Sequence, residues 1–195
     1  VSLDDEGVGD EGLYSELTPP KSSGERWIGV APFAKHKGKI YPLDRMEKVV
    51  SKLSEESRVK IFLFGSGDRE REILSLWRER YPGVISLADK RYGFAVELSL
   101  MSRLDVMISM DSANMHLASL VEVPVVSVWG ATHPYCGFLG WRQSDSGVVE
   151  LPLDCRPCSV FGNKPCYRKD YACLEIAPET IVDRVKSLET LIKEK

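Results

Sequence analysis

From Arg26 onward the chain alternates short, continuous apolar runs with stretches whose apolar positions recur every three or four residues. "RWIGVAPFA" (26–34), "VKIFLFGSGD", "GVISLAD", "DVMISM" and "VPVVSVWG" are the runs, and each predicts a strand with apolar residues on both faces. Between them, "YPLDRMEKVVSKLSEES" places Leu43, Met46, Val49, Val50 and Leu53 at helical spacing behind Pro42. "DREREILSLWRER" predicts a helix with acids early and arginines late, as the helix dipole prefers, and "YGFAVELSLMSRL" and "SANMHLASLVE" predict two more. Strands buried on both faces and alternating with helices imply an α/β protein with a doubly wound, Rossmann-like, mostly parallel sheet and right-handed crossovers. After Gly130 the alternation dissolves, and a Cys-containing loop segment fills 151–177. "PETIVDRVKSLETLIKEK" then predicts a closing helix over 178–193, with Ile181, Val182, Val185, Leu188 and Ile192 on one face.

Residues 1–26 carry neither period; they are acidic and rich in Gly, Pro and Ser, and read as a linker or disordered lead-in to a domain spanning 27–195. The first residue is not Met, so further chain is expected upstream. In 195 residues there is room for one sizeable core, and a net charge of −3 gives no footprint for nucleic acid. No run has the length of a transmembrane span, and no signal-peptide pattern opens the chain.

In an open parallel sheet, ligands sit at the carboxyl ends of the strands. Three connections leaving those ends carry unusual residues: "KHKGK" (35–39), the turn at Asp111 and Ser112, and "GATHP" (130–134). The three histidines, His36, His116 and His133, lie in these connections or one turn beyond. Asp111 closes a strand, and Ser112 is a natural N-cap for the helix that follows. Amides of Ser112, Ala113 and Asn114 at that helix start favour an anion, whereas the Asp111 carboxylate suits hydroxyl groups. His116, one turn in, reaches toward a phosphate or sugar oxygen, and Lys35 and Lys39 on the same edge offset a diphosphate. A phosphate seat beside a hydroxyl acceptor points to a nucleotide sugar. An Asp-Ser pair that merely caps a helix and a solvated basic loop are the plainer alternatives. "GSGDRE" lacks both the dinucleotide fingerprint and the Walker lysine.

The cysteines at 155, 158, 166 and 173 follow C-x2-C-x7-C-x6-C. One C-x-x-C suggests structural zinc, but the second pair does not complete a ribbon. Buried thiols packing a loop are the favoured reading, and no metal is expected. Arg156, Lys164, Arg168 and Lys169 read as a solvated loop, with an acidic acceptor as the alternative.

The block from Ile85 to Pro134 resembles the donor-binding half of glycosyltransferase family 9 heptosyltransferases. Its matching positions are Asp111, Ser112, Ala113, His116, Leu117, Ala118, Pro124, Gly130, Thr132 and Pro134. "KIYP" (39–42), "FLFGSGDRERE" and the cysteine-bearing tail extend the similarity over nearly everything from Trp27 onward. The resemblance implies a GT-B enzyme of two Rossmann-like domains, with this chain supplying the carboxyl-terminal one and an amino-terminal domain as its missing partner. It implies ADP-heptose as donor, the lipopolysaccharide inner core as acceptor, no cofactor, and a cytoplasmic location, peripheral at the inner face of the inner membrane. By the same resemblance Lys39 contacts the donor phosphates, the 112–114 amides seat the diphosphate, Asp111 bonds heptose hydroxyls, Glu70 holds the ribose and Tyr92 meets the adenine. The implied reaction is inverting and metal-independent, with its general base in the amino-terminal domain. Ala113 stands where the family usually has glycine, Asn114 where an apolar residue is common, and Lys35 where a hydroxyl is frequent, which leaves open a UDP- or GDP-sugar donor. A non-catalytic nucleotide-binding or interaction module is the alternative from another class.

Overall fold

Five runs without polar alternation become the strands of one parallel sheet whose two faces are both covered. The computed structural model describes residues 10–193. Its sheet contains β1 (Arg26–Ala31), β2 (Val59–Leu63), β3 (Val84–Ser86), β4 (Val106–Met110), β5 (Val125–Val128) and β6 (Val148–Val149), in the order β3-β2-β1-β4-β5-β6 and parallel throughout. β6 extends the sheet within the stretch after Gly130, where two valines are too short a run to show a period.

Alternation along the strands sorts the core into two layers. Ile28 and Val30 of β1, Ile61 and Leu63 of β2, and Val106, Ile108 and Met110 of β4 face one side. There α2 (Leu43–Ser54), α3 (Asp68–Arg80) and α6 (Pro178–Lys193) cover them with Val49, Val50, Leu53, Leu74, Trp77, Ile181 and Val185. Trp27, Phe62, Phe64 and Met107 face the other side, beneath α1 (Glu11–Tyr14), α4 (Phe94–Met101) and α5 (Ala113–Leu120). Ile192, expected on the buried face of α6, lies outside the described side chains.

Residues 10–25, expected as part of a linker or disordered lead-in, contain a short helix packed on the domain. Asp10 caps α1 by accepting from the Gly12 amide at 2.8 Å. Tyr14 is buried against Trp27, with ring centroids 6.0 Å apart, and Trp27 packs on Phe62 at 4.9 Å. Four helical residues show no period in a sequence, and the docking rests on the Tyr14 ring together with polar contacts such as Ser99 Oγ donating to Asp10 O at 2.9 Å. Residues 1–9 of the expected lead-in lie outside the described residues.

The chain runs outward from β1 to β2 to β3, then returns to β4 on the other flank of β1. The strand order therefore reverses between β1 and β4, and the loops leaving their carboxyl ends part there, opening a crevice. Lys39 lies beyond β1 and Asp111 directly after β4, so the topology brings together residues 72 positions apart in the sequence.

Replacing Tyr14 by Ala should destabilise the domain by about 3 kcal/mol, the cost of emptying a buried aromatic site. The shift of the urea midpoint at unchanged slope checks it, and an unaltered midpoint would detach residues 10–25 from the folded unit.

Candidate functional site

Lys39, Asp111 and Thr132 converge where the sheet reverses. Asp111 is 3% exposed, and its Oδ2 accepts from Thr132 Oγ1 at 2.8 Å and pairs with Lys39 Nζ at 2.8 Å. Both contacts fall on one carboxylate oxygen, which leaves Oδ1 to accept from a ligand. Lys39 has ammonium donors to spare for a second anion. Its stem runs beside Gly162, where an added Cβ would lie 2.7 Å from Lys39 Cγ, and its Nζ is 5.9 Å from the Phe138 ring centre.

The loop carrying Lys39 is held by a close backbone approach. Ala131 N donates to Gly38 O at 2.8 Å, and a Cβ on Gly130 would stand 2.4 Å from that same oxygen. Only glycine at 130 leaves room for the contact. The 129–132 backbone is gripped in turn by Arg156, whose side chain is 3% exposed. Its guanidinium donates to the carbonyls of Gly130, Leu151 (2.7 Å) and Thr132 (2.9 Å) and pairs with Glu150 at 2.9 Å. Arg156 therefore departs from the solvated-loop expectation. A guanidinium carries five donors, and here strand-end carbonyls without sheet partners absorb them.

Ser112 occupies the N-cap position of α5, but its side chain does not cap the helix. Its hydroxyl lies 3.2 Å from Ser109 Oγ, a hydrogen-bonding partner that competes with the helix amides. Among the described residues the amides of Ala113 and Asn114 take no partner, so the start of α5 keeps its positive end open.

These groups line a groove of about 1200 Å³ along the carboxyl edge of the sheet. Of the residues singled out in the sequence, Lys35, Lys39, Glu70, Asp111, Ser112, Ala113, Asn114 and His116 all line it, as does His36. Glu70 Oε2 accepts from the Ser66 amide at 2.8 Å, which shapes the "GSGD" turn. Tyr92 is not among the lining residues. It packs against the α4-side core with Lys90 Nζ 4.8 Å from its ring centre. His133 also stays out: its Nδ1 accepts from Tyr135 N at 3.1 Å, and its Nε2 lies 3.2 Å from Glu150.

Phe94, Glu97, Phe138 and Phe161 line the groove and were not singled out in the sequence. Glu97 lies in a helical stretch like any surface acid, and the two loop phenylalanines lie where no periodicity points to them. Yet burial pushes the Glu97 carboxyl above its ordinary range. All five thiols of the chain are free, four of them in the cysteine segment. Burial pushes the Cys173 thiol up to about 11, the protonated form suited to packing, and raises Cys158 as well. Among the described residues, no three metal-ligating side chains gather as an ion would need.

Open helix amides, a paired lysine and a buried carboxylate at a sheet reversal belong here to a doubly wound, Rossmann-like α/β fold. The family model for glycosyltransferase family 9 (heptosyltransferase) matches residues 10–166, and the chain belongs to that family. Two Campylobacter jejuni proteins named lipooligosaccharide heptosyltransferase 2 are 25% and 26% identical to it. The matches cover 86% and 85% of this chain but 53% and 52% of those proteins, so the chain spans about half the length of the curated relatives it matches. The E. coli ADP-heptose LPS heptosyltransferase II superposes with a TM-score of 0.71 at 19% identity, over 100% of this chain and 54% of that one. E. coli heptosyltransferase WaaC, solved with ADP-2-deoxy-2-fluoro heptose, gives 0.62 at 18% identity, over 91% of this chain and 47% of that one. At these identities the superpositions show the shared fold.

Arg156→Met should cost about 3 kcal/mol by stranding carbonyls and leaving Glu150 without its guanidinium, read as a lowered denaturation midpoint. Glu97 makes a separate prediction with a definite sign. Its raised carboxyl adds stability that is fully present below the ordinary value of 4.5 and is lost as pH rises through the higher folded value. Thermal midpoints at stepped pH should therefore fall for the wild type relative to Glu97→Leu across that window. Parallel curves would contradict a desolvated carboxyl.

Proposed function

We propose that this domain is the donor-binding half of an inverting glycosyltransferase that takes ADP-heptose and transfers heptose to the lipopolysaccharide inner core. The carrying observation is the Lys39–Asp111 pair beside the open amides of Ala113 and Asn114. A diphosphate seated on those amides meets Lys39 from its other side, while Asp111 Oδ1 accepts from sugar hydroxyls. Lys35, on the same rim, adds to the field that draws a diphosphate in. Glu70 serves the ribose. The heptosyltransferase names of the relatives, and a neighbour solved with an ADP-heptose analogue, support ADP-heptose over other donors.

In this reading an acceptor hydroxyl attacks the anomeric carbon from the face opposite the diphosphate, the bond to the β-phosphate oxygen breaks, and ADP leaves with inversion. Negative charge grows on the leaving phosphate, where Lys39 and the start of α5 are already oriented to stabilise it. No cofactor or metal takes part. The general base comes from an amino-terminal domain that makes up the rest of a GT-B enzyme, so this chain alone binds donor without turning it over. The place of action is the cytoplasm, at the inner face of the inner membrane. Among the described residues, no helix is long and apolar enough to cross a membrane.

Calorimetric titration with ADP, GDP, UDP and an ADP-heptose analogue tests the proposal. ADP and its sugar should bind selectively. Lys39→Ala should weaken both at least tenfold, and Asp111→Ala should erase the advantage of the sugar over ADP. Preference for UDP or GDP would change the donor within the same fold. Binding of none of them would overturn the reading in favour of an interaction module.

A further inference from the structure

Four carboxylates line the groove, and three are engaged. Asp68 pairs with Arg71 at 3.3 Å, Glu70 accepts from Ser66 N, and Asp111 holds Lys39 and Thr132. The fourth is Glu97, whose carboxyl has no hydrogen bond or ion pair among the described residues. It stands in the first turn of α4 and is half-buried. A carboxyl withdrawn from water without a donor costs about 1–3 kcal/mol, and a ligand that brings a donor recovers it.

Three residues earlier, on the same side of the helix, Phe94 is 69% exposed and also lines the groove. An apolar ring left in water at the lip of the groove is a stacking platform in want of a flat partner. Leu87 and Ala88 from the end of β3 add apolar wall beside it. The ligand part that belongs here is thus planar, aromatic and bears an N–H donor. A phosphate is excluded, because it would meet the carboxyl with like charge.

We propose that Phe94 and Glu97 form the base-selecting corner of the groove, with Phe94 stacking on the nucleobase and Glu97 accepting a hydrogen bond from an amino group on it. The proposal rests on the donor-groove reading and makes it specific about which residues choose the base. The carboxyl oxygens accept from an N–H, and an exocyclic amine on a base supplies one. Adenine carries such an amine. Tyr92, half-buried against the core and outside the groove lining, leaves the platform to Phe94.

The test uses calorimetry on this chain with ADP, inosine diphosphate, which has an oxo group in place of the amine, and 2′-deoxy-ADP. Wild type should favour ADP over inosine diphosphate about tenfold, equivalent to one hydrogen bond of about 1.4 kcal/mol. Glu97→Leu should reduce that ratio to within about twofold while leaving the ratio of ADP to 2′-deoxy-ADP unchanged. Phe94→Ala should weaken ADP and inosine diphosphate alike. A Glu97→Leu variant that keeps the tenfold ratio overturns the proposal, and so does one that changes the 2′-deoxy ratio instead, because the carboxyl would then serve the ribose. Lys39→Ala separates the two levels of the argument. If it abolishes ADP binding while Glu97→Leu changes nothing, the donor groove stands and the base corner falls. If no nucleotide binds, both fall together. Thermal melting of Glu97→Leu, expected at or above the wild-type midpoint, guards against a misfolded variant.

Discussion

Everything at the carboxyl edge of this sheet depends on one charged contact, Lys39 with Asp111. The two residues come from loops on opposite sides of the strand reversal, and their pairing fixes how far apart those loops stand. Thr132 adds a third loop by donating to the same carboxylate oxygen. Because the aspartate is nearly sealed from solvent, an unpaired charge there would be costly, and the pairing partner cannot be lost without moving the loops. A pair inside a ligand groove also stays adaptable, since an arriving anion can share the ammonium without stranding the carboxylate.

The contact is sustained by parts that have no chemistry of their own. Gly130 permits the backbone of the "KHKGK" loop to approach, and Gly162 leaves room for the lysine stem. Arg156 ties the 129–132 backbone to the segment that holds the cysteines. That segment is therefore a brace for the groove. Its raised thiols fit packing, and Cys158 lies 3.9 Å from Ala131 O at the back of the same loop. The Tyr41 hydroxyl donates to Ile176 O at 2.7 Å and carries the brace on to the closing helix.

How much of this could be read in the sequence follows the length scale of each feature. β1 to β5 and their helices were legible because burial on one or two faces imposes a period over many residues. β6 was not, since Val148 and Val149 are too few to show one. Asp111, Lys39 and the start of α5 were legible because strand ends carry ligands in this architecture. Tyr92 lies outside the groove lining, and a residue's place in a loop does not say which way its ring turns. The worth of Arg156 lies in carbonyls that only the folded chain brings within reach. Ser112 was placed correctly, but the competing hydroxyl of Ser109 could not be foreseen from spacing alone.

The central claim is that a diphosphate sits between Lys39 and the amino-terminal end of α5. Amide NMR during titration with ADP tests it most directly, because it reads the seat and not merely affinity. The account predicts that the largest shifts fall on the amides of Ala113 and Asn114, with smaller ones along 35–39 and at Thr132. Shifts confined to the "GSGD" turn, with α5 unmoved, would contradict it.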